Sequence, residues 1–128
     1  MDFSIPEAGT IQSMIEIKTL SPAIGVASQI AVDDLQSIAA AGYRSILCNR
    51  PDHEGPDQPS FHEIEQAALA CGLVARYLPV VSGGVTPADG LAFAQLLEVL
   101  PGPVLAYCRS GARSTTLWSL AQAVVAGD

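Results

Sequence analysis

Short β-prone runs alternate with helical stretches along this chain, and that alternation restricts the fold more than any other feature. Met14–Thr19 alternates apolar and polar residues, as a half-buried strand does, and Ile24–Ser28 reads as a second short strand. Asp33–Ala41 places Leu35, Ile38 and Ala39 on one helical face and stops at Gly42. Ser45–Cys48 is an apolar strand, and the proline- and charge-rich stretch Arg50–Pro59 after it is a loop. Ser60 and Glu63 form a capping box for a helix that ends at Gly72. Val74–Val80 reads as a strand and Ser82-Gly83-Gly84 as a turn. Thr86, Pro87 and Asp89 then open a helix that runs to about Leu100. Pro101-Gly102-Pro103 breaks it, Val104–Tyr107 is a buried strand, and Ser114–Val125 is the closing helix. The alternation predicts an α/β fold with a central, mostly parallel sheet flanked by helices. Ligands of such sheets sit beyond the carboxyl ends of the strands, so the loops after Cys48, Val80 and Tyr107 should converge.

The last of these loops, Cys108-Arg109-Ser110-Gly111-Ala112-Arg113-Ser114, joins a buried strand to a helix. Gly111 permits a tight turn with its amides pointing inward, and the helix N-terminus adds partial positive charge. Arg113 and Arg109 add full charges. Such a cradle, with Ser110, Gly111 and Ala112 in its wall, suits a small anion. It also stabilises a thiolate at Cys108, whose pKa should fall below the usual thiol value of about 8.5. The net charge is -7, and the cations are Lys18, Arg44, Arg50, Arg76, Arg109 and Arg113, so two of six fall in one loop of an acidic chain. The acidic balance argues against nucleic acid or anionic lipid as a partner. The plain alternative is a buried core cysteine beside a surface arginine.

Other residues admit two readings each. Arg109 either recruits an anionic substrate or is an ordinary surface charge. Ser114 either donates a hydrogen bond to the thiolate or caps the helix. Ser110 is there because it is small. Arg50 either extends the anion site or pairs with Asp52 in a structural salt bridge. Cys48 is a core residue or a redox partner of Cys108, and Cys71 is inert. Trp118 packs on the sheet or lines the substrate pocket.

Cys48, Cys71 and Cys108 are odd in number and widely spaced, which suits a reduced, cytoplasmic protein and no zinc site of the usual spacing. His53 and His62 follow no ligand pattern and read as surface residues. No metal or cofactor signature appears. No run of about 18 apolar residues is present, so no membrane partner is expected. Residues 1–13 read as a flexible leader without signal-peptide character, and 14–128 as a single domain. The oligomeric state is not legible.

The loop resembles the active-site loop of single-domain rhodaneses, where a Tyr-Cys-Arg-Ser-Gly-x-Arg-Ser run is common. More of the chain is similar to another family. The blocks Ser45-Ile46-Leu47-Cys48-Asn49-Arg50-Pro51-Asp52, Leu78-Pro79-Val80-Val81-Ser82-Gly83 and Pro103–Gly111 resemble the phosphatase-like domain of beta-lactamase-hydrolase-like proteins, domain-of-unknown-function family 442. That resemblance implies the fold of dual-specificity cysteine phosphatases and spans roughly Met14 to Val125. Three departures from the phosphatase pattern stand out. Arginine falls five positions after the cysteine, at Arg113, with Ser114 at the sixth. Tyr107 replaces the histidine before the cysteine. No aspartate follows the Leu78-Pro79-Val80 strand, and Asp89 reads as a capping residue. Sulfur transfer needs no general acid when the leaving group is a good anion such as sulfite. The favoured expectation is therefore a sulfurtransferase with catalytic Cys108 and Arg113, acting on a sulfane-sulfur donor through a Cys108 persulfide. A phosphatase acting on a phosphate ester through a phosphocysteine is the alternative, and a non-catalytic redox or binding module the third reading.

Overall fold

The computed structural model describes residues 15–126, so the expected leader at 1–13 lies outside the described residues. Strands β1 (Ile17–Ser21), β2 (Ile24–Ala27), β3 (Ser45–Cys48), β4 (Val74–Tyr77) and β5 (Val104–Tyr107) form a sheet in the order β1-β2-β5-β3-β4. Strands β2, β5, β3 and β4 are mutually parallel, and β1 lies antiparallel on the β2 edge. Helices α1 (Leu35–Ala40), α2 (Phe61–Ala70), α3 (Pro87–Val99) and α4 (Ala112–Ala126) cover the faces. The α/β expectation with a mostly parallel sheet therefore describes the molecule.

Alternation along the strands divides the core in two. Ile46, Cys48, Leu105 and Tyr107 face Leu35 and Ile38 of α1 and Ile64 and Ala68 of α2. Leu47, Val104 and Ala106 face Phe93 of α3 and Leu117 and Ala121 of α4. Trp118 is partly buried in this second cluster, as its packing reading has it. Helices α3 and α4 meet closely at Gly90, where a Cβ would stand 2.6 Å from the Leu120 Cβ.

Both capping boxes form as the sequence indicates: Ser60 Oγ accepts from the Glu63 amide at 3.1 Å, and Thr86 Oγ1 from the Asp89 amide at 3.3 Å. Other boundaries need correction. The first strand begins at Ile17 and runs to Ser21, with an irregularity between Thr19 and Ser21, so Thr19 is not its end. The stretch expected as one helix, Asp33–Ala41, splits into a 3-10 turn at Val32–Asp34 and a short α1. The Asp34 carboxylate turns back to accept from the Ala31 amide at 2.8 Å, which holds that turn. Strand β4 stops at Tyr77 rather than Val80, because Pro79 has no N–H to continue a ladder. Leu78 and Val80 still donate to the carbonyls of Cys48 and Asn49, so the chain stays beside β3 past the end of β4. Helix α4 starts at Ala112, not Ser114, and the Thr115 amide already donates to the Gly111 carbonyl at 3.0 Å.

Candidate active site

Strands β2, β5, β3 and β4 end at one edge, and β5 lies between β2 and β3. The loop that leaves β5 is therefore flanked by the loops leaving its neighbours. The three loops expected to converge do so, and the loop after β2 joins them: the Gln29 amide donates to the Arg109 carbonyl at 3.1 Å.

Cys108 follows the last residue of β5 and is 1% exposed. The Gly111 amide donates to its sulfur at 3.1 Å. Gly111 has φ +95°, the left-handed region where L side chains are strained, and that conformation turns its amide back onto the sulfur. The Ser110 hydroxyl accepts from the Ala112 amide at 3.3 Å and fastens the turn, a role beyond its small size. Burial pushes the Cys108 thiol up. The Ser114 and Gly111 amides, the Ser114 hydroxyl and the Ser110 amide pull it down, and the net is a pKa below the ordinary thiol value. Helix α4 adds the partial positive charge of its N-terminus.

Arg113, in the first turn of α4, is 8% exposed. Its Nη1 donates to Glu54 Oε2 at 3.0 Å and to the Val80 carbonyl at 2.9 Å, and its Nη2 to Glu54 Oε1 at 3.1 Å. Its Nε is buried and has no partner among the described residues. Glu54 also accepts from Arg50 Nε at 2.9 Å, and Arg50 Nη1 donates to Gln29 Oε1 at 3.0 Å. One carboxylate thus joins two buried guanidiniums. The hydrogen bond from Arg113, reinforced by Arg50, holds Glu54 below the usual carboxylate range against the opposing effect of burial. The Arg50–Asp52 pairing does not form. Asp52 Oδ1 instead accepts from the Phe61 amide at 2.8 Å, at the start of α2.

A cavity of about 360 Å³ opens over Cys108, walled by Arg109, Ser110 and Arg113 on one side and Ser82, Gly83 and Val85 on the other. Arg109 is exposed and lines this cavity and a second one beside Arg50 and Glu54. A larger cavity of about 780 Å³ lies against β1 and the far side of the loop. Its lining includes Glu16 and Lys18 but not Cys108.

Ser114 lies inside α4 and is not its cap. Its Oγ donates to Asn49 Oδ1 at 2.8 Å. Cys48 does not pair with Cys108. It lies beside Tyr107 in register, on the face opposite Cys108, and its thiol donates to the Arg50 carbonyl at 3.3 Å. Asp89 is held in its capping box, its Oδ2 accepting from the Thr86 amide at 2.9 Å. The structure therefore gathers Cys108, Arg109, Ser110, Gly111, Ala112, Arg113 and Ser114 with Arg50 at one sheet edge. Sequence reasoning did not single out Glu54, Gln29 or Asn49. The four-residue spacing of Arg50 and Glu54 within a short loop was the available signal for the first of these.

Residues 16–125 match the family described as beta-lactamase hydrolase-like protein, phosphatase-like domain. A beta-lactamase hydrolase-like protein of Agrobacterium fabrum is 38% identical over 99 residues, which cover 77% of this chain and 23% of that protein. One of Xylella fastidiosa is 33% identical over 110 residues, covering 86% and 26%. The chain thus spans about a quarter of the length of these relatives. A solved Neisseria meningitidis protein, provisionally described as a phosphatase, superposes with a TM-score of 0.79 at 35% identity, over 84% of this chain and 76% of that one. TpbA of P. aeruginosa in complex with phosphotyrosine superposes with a TM-score of 0.65 at 17% identity, over 88% and 65%, a likeness of fold alone.

Proposed function

We propose that this chain, which belongs to the phosphatase-like domain family of beta-lactamase hydrolase-like proteins, is a sulfurtransferase that carries sulfane sulfur as a Cys108 persulfide. The observation that carries the reading is that, among the described residues, no carboxylate lines the cavity over Cys108, and three carboxylates of the flanking loops are committed elsewhere. Glu54 is held between Arg113 and Arg50, Asp52 caps α2 and Asp89 caps α3. An alkoxide leaving from phosphorus needs a proton donor, and each of these is tied elsewhere. Sulfite leaving from thiosulfate needs none.

In the proposed cycle the Cys108 thiolate attacks the outer sulfur of thiosulfate. A new S–S bond forms, the old S–S bond breaks and sulfite departs with its electron pair. Cys108 then bears a persulfide anion, which the loop amides and the Arg113 Nε–H can hold. A nucleophilic acceptor such as cyanide or a thiolate takes the outer sulfur and restores the Cys108 thiolate. Arg109, exposed at the cavity mouth, draws the anionic donor in.

The test is thiocyanate production from thiosulfate and cyanide, with Cys108→Ser as control. Thiocyanate dependent on Cys108, with one added sulfur on that residue by mass spectrometry, is expected. A folded, reduced protein that never gains the sulfur overturns the reading. A phosphatase is then the reading to examine, favoured by the 35% identical Neisseria neighbour and read out by vanadate-sensitive turnover of aryl phosphate.

A further inference from the structure

Three residues just beyond the strand ends fall in one row across the sheet. Ile17 stands opposite Ala27, and Ala27 opposite Tyr107. One step further in the same direction lie Glu16 before β1, Ser28 after β2 and Cys108 after β5, and the Cys108 amide still donates to the Ala27 carbonyl at 3.4 Å. Ala27 and Tyr107 belong to the cluster under α1 and α2, and Ile17 packs against it. Alternation therefore turns Glu16, Ser28 and Cys108 to the opposite face, the one that α4 covers. Two strand spacings put Glu16 roughly 10 Å from Cys108 along the row. Lys18 shares that face, since Leu20, two positions on, packs with the α3 and α4 residues.

Two cavities meet over this row. Glu16, Lys18 and Ser28 line the larger, of about 780 Å³, and Cys108 the smaller, of about 360 Å³. Ser110, Ala112 and Thr116 line both, so only the rim of the Cys108 loop and the start of α4 stand between them. Glu16 and Lys18 are exposed, and among the described residues they do not pair with each other. The Thr115 hydroxyl gives its proton to the Gly111 carbonyl at 2.9 Å, and the Thr116 hydroxyl to the Ala112 carbonyl at 3.0 Å. Toward a ligand both hydroxyls can then only accept, as the Glu16 carboxylate does. A molecule whose sulfur reaches Cys108 lays the rest of itself over Thr116, among these acceptors and the one ammonium of Lys18.

We infer that the larger cavity is the acceptor subsite and takes a small thiol with an amino-acid head, its ammonium on Glu16 and its carboxylate on Lys18. The inference rests on the proposed sulfur transfer. The acceptor enters as a thiolate, its proton given to solvent, and attacks the outer sulfur of the Cys108 persulfide. An S–S bond forms on the acceptor, the S–S bond at Cys108 breaks, and Cys108 departs as a thiolate with the electron pair. Glu16 and Lys18 set which acceptor is preferred and take no part in the bond changes.

The experiment loads the full chain with thiosulfate, confirms the added sulfur by mass, and times discharge of the persulfide by L-cysteine, cysteamine, 3-mercaptopropionate and 2-mercaptoethanol. Low ionic strength keeps the exposed charges least screened. Each rate is divided by that of neutral 2-mercaptoethanol in the same variant. Glu16→Gln should lower the relative rates of L-cysteine and cysteamine about three- to fivefold, and not that of 3-mercaptopropionate. Lys18→Gln should lower those of L-cysteine and 3-mercaptopropionate by a similar factor, and not that of cysteamine. Relative rates that stay put, or that shift alike for all three charged thiols, overturn the proposal. A second arm asks nothing of sulfur transfer: modification of unloaded Cys108 by 2-aminoethyl methanethiosulfonate, relative to the neutral methyl methanethiosulfonate. The thiolate takes the alkylthio group and methanesulfinate leaves. Glu16→Gln should lower this ratio by a like factor. A chain that never gains sulfur yet shows this fall loses the sulfur-transfer reading and keeps the subsite. A chain that gains sulfur and shows no fall keeps sulfur transfer and loses the subsite.

Discussion

Glu54 sets two buried guanidiniums against one carboxylate, so neutralising it leaves two desolvated cations without a counter-charge. Glu54→Gln should cut thiocyanate formation at least about tenfold, because Arg113 loses the clamp that fixes its position. Its pKa lies below its ordinary value, so the clamp contributes stability that is present above the usual carboxylate range and lost as pH falls through the folded-state value. Thermal midpoints of wild type and Glu54→Gln should therefore differ at neutral pH and converge once pH has fallen below the usual carboxylate range. The cysteines should separate in the same spirit. Burial holds the Cys48 thiol above its ordinary value, more than the bond from the Tyr107 hydroxyl lowers it, while Cys108 is held below. Limited iodoacetamide at neutral pH should label Cys108 and spare Cys48, read by peptide mass spectrometry. The Cys108 loop was legible because its signals are local: a buried strand, a cysteine, a glycine and a helix start within eight residues. Glu54 was not, because the Arg113 it holds lies 59 positions away and only the fold joins them.

Helix α3 shows both what local chemistry specifies and what it leaves open. Thr86, Pro87 and Asp89 announce its start through orphan amides and a fixed φ, and the structure starts it there. Thr86→Ala should cost about 1 kcal/mol by urea denaturation. Gly90 carries no such announcement. Its meaning appears only when α4 lies across it with Leu120 at the contact. Gly90→Ala should lower stability by about 1–3 kcal/mol through overpacking, only partly offset by the roughly 1 kcal/mol that alanine gains as a helix former. The start of α4 escaped the sequence for a related reason. Ser114 has the residue type of a cap, but the turn is already closed by Ser110 and Gly111, and the Ser114 hydroxyl is engaged with Asn49, just past the end of β3.

Across the whole molecule, a chain of net charge -7 places Arg50, Arg109 and Arg113 at one sheet edge. Arg109 is the exposed one of the three, so its attraction to a dianion is screened by salt. Arg109→Gln should raise KM for thiosulfate severalfold with little change in kcat, and it should flatten the rise of KM with added sodium chloride. The parallel sheet itself was legible, since alternating strands and helices leave few other layered arrangements. The order that puts β5 in the centre was not, because register and neighbour choice depend on packing between distant segments. That central position has a consequence in time. Amides paired on both sides of a middle strand exchange with solvent only when the whole domain opens, whereas those of an exposed turn such as Ser82-Gly83 exchange far sooner. Cys108 is therefore rooted in the slowest-exchanging part of the protein, and the wall opposite it is an exposed turn. Activity on heating should accordingly persist up to global melting and vanish with it, and not fade ahead of it as it does where a nucleophile rides on a loosely held loop.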